Sequence, residues 1–109
     1  MKHLNEQPNS SYIDSLSGGD SIFKAKLIAV IKKEFPEEKA IYIKNIEAKN
    51  YEEASGNVHK LKHKISILGL EKSYEIAVDY ENNLDEGNTT LKDDFESILE
   101  NITNYLTTI

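Results

Sequence analysis

With 109 residues, 39% apolar and 29% charged, the chain is long enough for one buried core and too short for a catalytic domain beside a nucleotide-binding domain. A formal net charge of -6 excludes a general nucleic-acid binder, which needs a broad basic surface, and no apolar run approaches the ~20 residues that cross a bilayer. The absence of cysteine removes disulfides, thiolate nucleophiles and cysteine-ligated zinc, and the opening MKHLNEQPNSSY lacks the apolar stretch of a signal peptide.

These bounds predict a single cytoplasmic domain over 1–109, with a flexible start at residues 1–10. Strand signals are weak: no period-2 alternation is sustained and neither Asn-Gly nor Asp-Gly occurs, so every element is predicted helical. A short opening segment carries Tyr12, Ile13 and Leu16 and ends at Gly18-Gly19, where Asp20 is placed to cap the next helix. That helix carries Phe23, Leu27, Ile31 and Phe35. Pro36 follows, suited to a first helical turn with Glu37 and Glu38 behind it, and predicts a separate segment to about Lys49 with Ile43 and Ile46 inward.

The next segment has the clearest apolar ladder, Tyr51, Ala54, Val58, Leu61, Ile65 and Leu68, and stops at Gly69. A helix with Tyr74, Ala77, Tyr80 or Glu81, and Leu84 closes at Glu86-Gly87. The last begins near Asn88-Thr89-Thr90 and carries Leu91, Phe95, Ile98, Ile102 and Tyr105. Short connections between amphipathic helices predict an all-α fold, an antiparallel up-and-down four-helix bundle with an additional short N-terminal helix.

His59 and His63 lie one turn apart inside the ladder, among Lys60, Lys62 and Lys64. At about 100° per residue, His59 falls ~130° and His63 ~170° from the centre of the apolar stripe, and Lys62 at ~70°, so both imidazoles face water with Lys62 between the core edge and His59. Ser55 and Ser66 flank the same surface on its core side. An exposed imidazole is a usable nucleophile near neutral pH, and a neighbouring ammonium attracts an incoming phosphoryl group. Periodicity alone favours the plainer reading, two solvated polar side chains on an outer face.

Around these residues the chain resembles the histidine-containing phosphotransfer family, whose motif is His, any residue, Leu, Lys, with Leu-Gly nine and ten residues after the His. His59, Leu61, Lys62, Leu68 and Gly69 occupy those positions. Leu16-Ser17-Gly18-Gly19-Asp20, Phe35-Pro36, Asn50-Tyr51 and Tyr80-Glu81 resemble the family's connectors, so the likeness runs from about Tyr12 to Tyr105. Counted from His63 the motif fails. One departure stands out: the family's small Gly four residues after the acceptor is His63 here, which crowds the place where a partner docks. Gly56, one turn before His59, is either a space-making residue for that partner or a tolerated helix glycine.

The resemblance implies a phosphorelay carrier without an ATP site, not an enzyme in its own right. His59 would take a phosphoryl group from a receiver-domain aspartate and pass it to another, through Nε2. Lys62 would supply positive charge to a loose transition state, and Mg²⁺ would come with the receiver. Receiver domains of response regulators or of hybrid sensor kinases are the implied partners of a monomer that binds neither nucleic acid nor membrane. Lys60, His63, Lys64, Ser66, Gly56 and Ser55 would surround the docking site, with apolar contact from around Tyr12 and Ile13, and the lysines steering an acidic pocket. Two other readings are open. His59 and His63 at i and i+4 could share a metal with Glu52, although the lysines repel cations and no metal is expected. Alternatively, the bundle is a phosphate-independent interaction module.

Overall fold

The computed structural model describes residues 6–109, and all regular structure among them is helical. Five helices follow in order: α1 Ser11–Ser17, α2 Ser21–Glu47, α3 Tyr51–Ile67, α4 Glu71–Asp85 and α5 Lys92–Leu106. Helix α1 packs on α2, α2 on α3 and α5, α3 on α4, and α4 on α5. No helix among the described residues is long and apolar enough to cross a membrane.

Asp20 caps α2 as its position predicts. Its Oδ1 accepts from the N–H of Ile22 at 3.0 Å and of Phe23 at 3.1 Å, filling two donors that a helix start leaves over. The predicted break at Pro36 does not occur, and α2 runs through it as one helix of 27 residues. Proline removes one N–H and crowds the carbonyl four residues back, a cost of ~3 kcal/mol in an ordinary helix interior. Burial outweighs it here: Ile31, Phe35, Tyr42 and Ile46 lie at steps of four, seven and four on one inward face, on both sides of the proline. Keeping that phase also corrects the inward residue after Pro36. Tyr42 is fully buried, whereas Ile43 is exposed.

Tyr42 organises the middle of the core. Its ring meets those of Tyr80 and Phe95 at centroid distances of 6.2 and 5.3 Å, both edge-on. Its hydroxyl lies 2.6 Å from that of Tyr80 and donates to Glu96 Oε2 at 3.2 Å, so Tyr80 is the donor to Tyr42. Burial, and then the Tyr80 hydroxyl, push the Tyr42 phenol far above its ordinary value; burial also raises Tyr80, to about 12.

The expected flexible start spans residues 1–5, outside the described residues, and 6–10, where the chain makes a defined set of bonds. Leu70, at the N-cap of α4, has no side chain able to cap, and Glu6 takes that role from the far end of the sequence. Its carboxylate accepts from the N–H of Lys72 at 2.6 Å and from the N–H and hydroxyl of Ser73 at 2.8 Å. Burial raises the Glu6 pKa, but these N–H donors outweigh it and hold the group below the usual carboxylate value. The Asn9 N–H donates to the Leu68 carbonyl at 2.9 Å, laying this segment across the turn between α3 and α4. Gly69 in that turn has φ +78°, a backbone conformation that calls for glycine, and the Asn9 side chain packs so closely that its Nδ2 would have to move to admit a Cβ.

Candidate functional site

Helix α3 settles where the histidines point. Ala54, Val58, Leu61 and Ile65 are fully buried, as is Leu68 at its C-cap, and Tyr51 packs against the same core at its edge. This is the predicted ladder, and it turns both imidazoles outward. The His59 side chain is 53% exposed, and the His63 ring stands against it edge-on, centroids 5.1 Å apart at 88°.

Helix α4 supplies the group that orders His59. Glu81 Oε2 lies 3.1 Å from His59 Nδ1, while Glu81 Oε1 lies 2.9 Å from Lys62 Nζ. A carboxylate can only accept, so Nδ1 carries a proton, and in the neutral imidazole the lone pair is therefore on Nε2. Half-buried Glu81, with 21% of its side chain exposed, thus joins the imidazole and the ammonium across the α3–α4 seam. Lys62, 13% exposed, also passes 5.9 Å over the Tyr74 ring, which holds its stem along the bundle. The Lys62 ammonium compensates the charge on buried Oε1 without forming an aligned hydrogen bond to it.

The other expected site residues divide by depth. Lys60, His63, Ser66 and Gly56 are exposed, and a Cβ on Gly56 would meet nothing within 4 Å. Ser55 is buried, and its hydroxyl donates to the Glu81 carbonyl at 3.2 Å, fixing the stretch of α4 that carries the carboxylate. Lys64 turns away from the histidines to the opposite flank of α3, where Glu34 and Glu38 each hold it at 3.1 Å. Neither Ser55 nor Lys64 joins the surface around His59. Of the apolar pair expected to assist docking, Tyr12 is exposed and Ile13 is fully buried in the core.

No group of three or more His, Cys, Asp or Glu suited to a metal ion occurs among the described residues. The one carboxylate at His59 is already shared with an ammonium, a donor set that suits an incoming anion better than a cation. Sequence reasoning missed Glu81, leaving it or Tyr80 as the inward residue. The available signal was its phase on α4: Ala77, Tyr80 and Leu84 complete the buried face, which puts Glu81 at the edge toward α3. Set against protein-family models, curated proteins and solved structures, the chain gives no match.

Proposed function

We propose that the protein is a histidine phosphotransfer carrier, taking a phosphoryl group on His59 from one receiver-domain aspartate and handing it to another. The supporting observation is the Glu81 bridge, which ties Nδ1 of an exposed imidazole and an ammonium together on the same side of α3, leaving Nε2 as the nitrogen that attacks in the neutral ring. In the transfer the Nε2 lone pair forms the new P–N bond while the P–O bond to the receiver carboxylate breaks, and that carboxylate leaves with the electron pair. The imidazole becomes cationic, with Nδ1–H still donating to Glu81, whose negative charge favours that form. Lys62 meets the equatorial phosphoryl oxygens, where charge develops in a loose transition state. Mg²⁺ stays with the receiver. This chain provides no ATP-binding loop, so it carries phosphate without generating it.

The helices fit this reading as an antiparallel up-and-down bundle of α2 to α5, with α1 as the extra element. Partners on α3 fall in number as those on α2 rise, from Glu38 with Lys64 to Asn45 with Asn57. The same reversal relates Lys32 with Ile109, past the end of α5, to Lys39 with Thr103 on α5. The receiver docks on the exposed apolar residues of α1, Tyr12 and Leu16, with Lys60 steering its acidic pocket. The setting is cytoplasmic and the carrier monomeric.

The test is incubation with a phosphorylated receiver. Wild type and His63→Gln take up label; His59→Gln does not. Label persisting in His59→Gln overturns the assignment. A second reading, an interaction module that never carries phosphate, is favoured by the His63 ring standing where the family keeps a glycine. Tight receiver binding without label on any histidine would establish it.

A further inference from the structure

Glu81 fixes the His59 ring at one point. Its Oε2 lies 3.1 Å from Nδ1, but the His59 side chain is 53% exposed. The χ2 torsion of a histidine is broad and roughly two-fold, and turning the ring over would set Cδ2 against the carboxylate and move Nε2 elsewhere. A single hydrogen bond at a solvated position is a weak guard against that turn.

His63 supplies a second constraint. Side chains on a helix lean toward its N-terminus, so a residue at i+4 comes back over the turn that carries residue i. The His63 ring meets the His59 ring in this way, with centroids 5.1 Å apart and planes at 88°, the edge-to-face arrangement that ring quadrupoles favour. No carboxylate on its own helix draws it aside: the residues three and four positions away are His59, Lys60, Ser66 and Ile67. Glu81 reaches the His59 ring from α4 and His63 reaches it along α3, so the two act from different directions.

We propose that His63 is a positioning residue for His59. Its ring and the Glu81 carboxylate together hold the imidazole with Nδ1 toward α4, and so fix where Nε2 is presented for phosphorylation. The inference rests on the carrier reading of His59 and gives the neighbouring imidazole a part in it. What His63 contributes is the ring, not its nitrogens, so an aromatic replacement serves and a small one does not.

The experiment treats the full chain with phosphoramidate. Attack by Nε2 forms a P–N bond to the imidazole and breaks the P–N bond of the reagent, releasing ammonia, so the rate reports on the imidazole without a docking partner. Before the reaction, ¹⁵N–¹H spectra give the His59 tautomer; after it, ³¹P–¹H correlation locates the phosphorus. In wild type the free His59 is protonated on Nδ1 and phosphorus enters at its Nε2. His63→Ala slows entry at His59 about three- to tenfold, the scale set by one edge-to-face ring contact, and moves the His59 nitrogen signals toward a mixture of tautomers. His63→Phe restores both rate and signals. Wild-type rate and signals in His63→Ala overturn the proposal. So does a His63→Phe variant as impaired as His63→Ala, which would assign the role to the ring nitrogens. Receiver uptake is measured in parallel: its absence in wild type, with the phosphoramidate pattern intact, overturns the carrier reading while the positioning role stands.

Discussion

The two seams of α3 use the same residue types to different ends. Toward α2, Lys64 is 12% exposed and sits between Glu34 and Glu38, and further along the seam Asn45 Nδ2 donates a hydrogen bond to Asn57 Oδ1 at 2.6 Å. Toward α4, Lys62 is equally sheltered, but its carboxylate partner is shared with an imidazole that faces water. The first arrangement joins α2 to α3 through Lys64 without any imidazole in the cluster. The second leaves an imidazole exposed beside a sheltered ammonium that shares its carboxylate. A lysine two residues along a helix thus moves from clamp to candidate site because α3 presents positions 62 and 64 to different neighbours.

The largest effect that separates the seams is in phosphoryl uptake from a phosphorylated receiver: His59→Gln loses it entirely, and Lys64→Gln keeps the wild-type rate. Glu81→Ala removes the partner that orients His59 and slows uptake about 10- to 100-fold, by analogy with the loss of an orienting partner of a metal-ligating histidine. Stopped-flow measurement of transfer checks it, with circular dichroism to confirm the fold. Lys64→Met reverses the pattern: the Glu38 side chain loses its counter-ion, stability in urea falls by about 1–3 kcal/mol, and transfer is unaffected.

Away from both seams, Glu6→Gln weakens the cap of α4 by about 1 kcal/mol near neutral pH. Because the folded Glu6 pKa lies below its ordinary value of 4.5, its contribution is present above that value and is lost as pH falls through the lowered folded value. Chemical denaturation of the two proteins should therefore converge in acid. The smallest change is Gly56→Ala, where open space accepts the methyl group and the helix gains about 0.5–1 kcal/mol in thermal melts. An unchanged transfer rate in that variant rules out a space-making role for Gly56.

What the sequence disclosed depended on how local the cause was. The Asp20 cap and the α3 ladder are set by neighbours within a turn or two, and the outward turn of His59 and His63 follows from the ladder alone. Pro36 was misleading because its local cost is outweighed by an inward face extending from Ile31 to Ile46, visible only when the helix is taken through the proline. Once that phase is kept, Tyr42 replaces Ile43 in the core. The role of Glu6 could not be read at all, since it caps a helix that starts 65 residues later. Glu81 lies between these cases: its helix phase was legible, but its meeting with His59 and Lys62 depends on how α4 lies against α3.

The most direct test of the account is to identify the phosphorylated atom. After transfer from a labelled receiver, ³¹P–¹H correlation spectra should place phosphorus on Nε2 of His59, with Nδ1 still protonated toward Glu81. Phosphorus on Nδ1 of His59, on His63, or on no imidazole of this chain would contradict it.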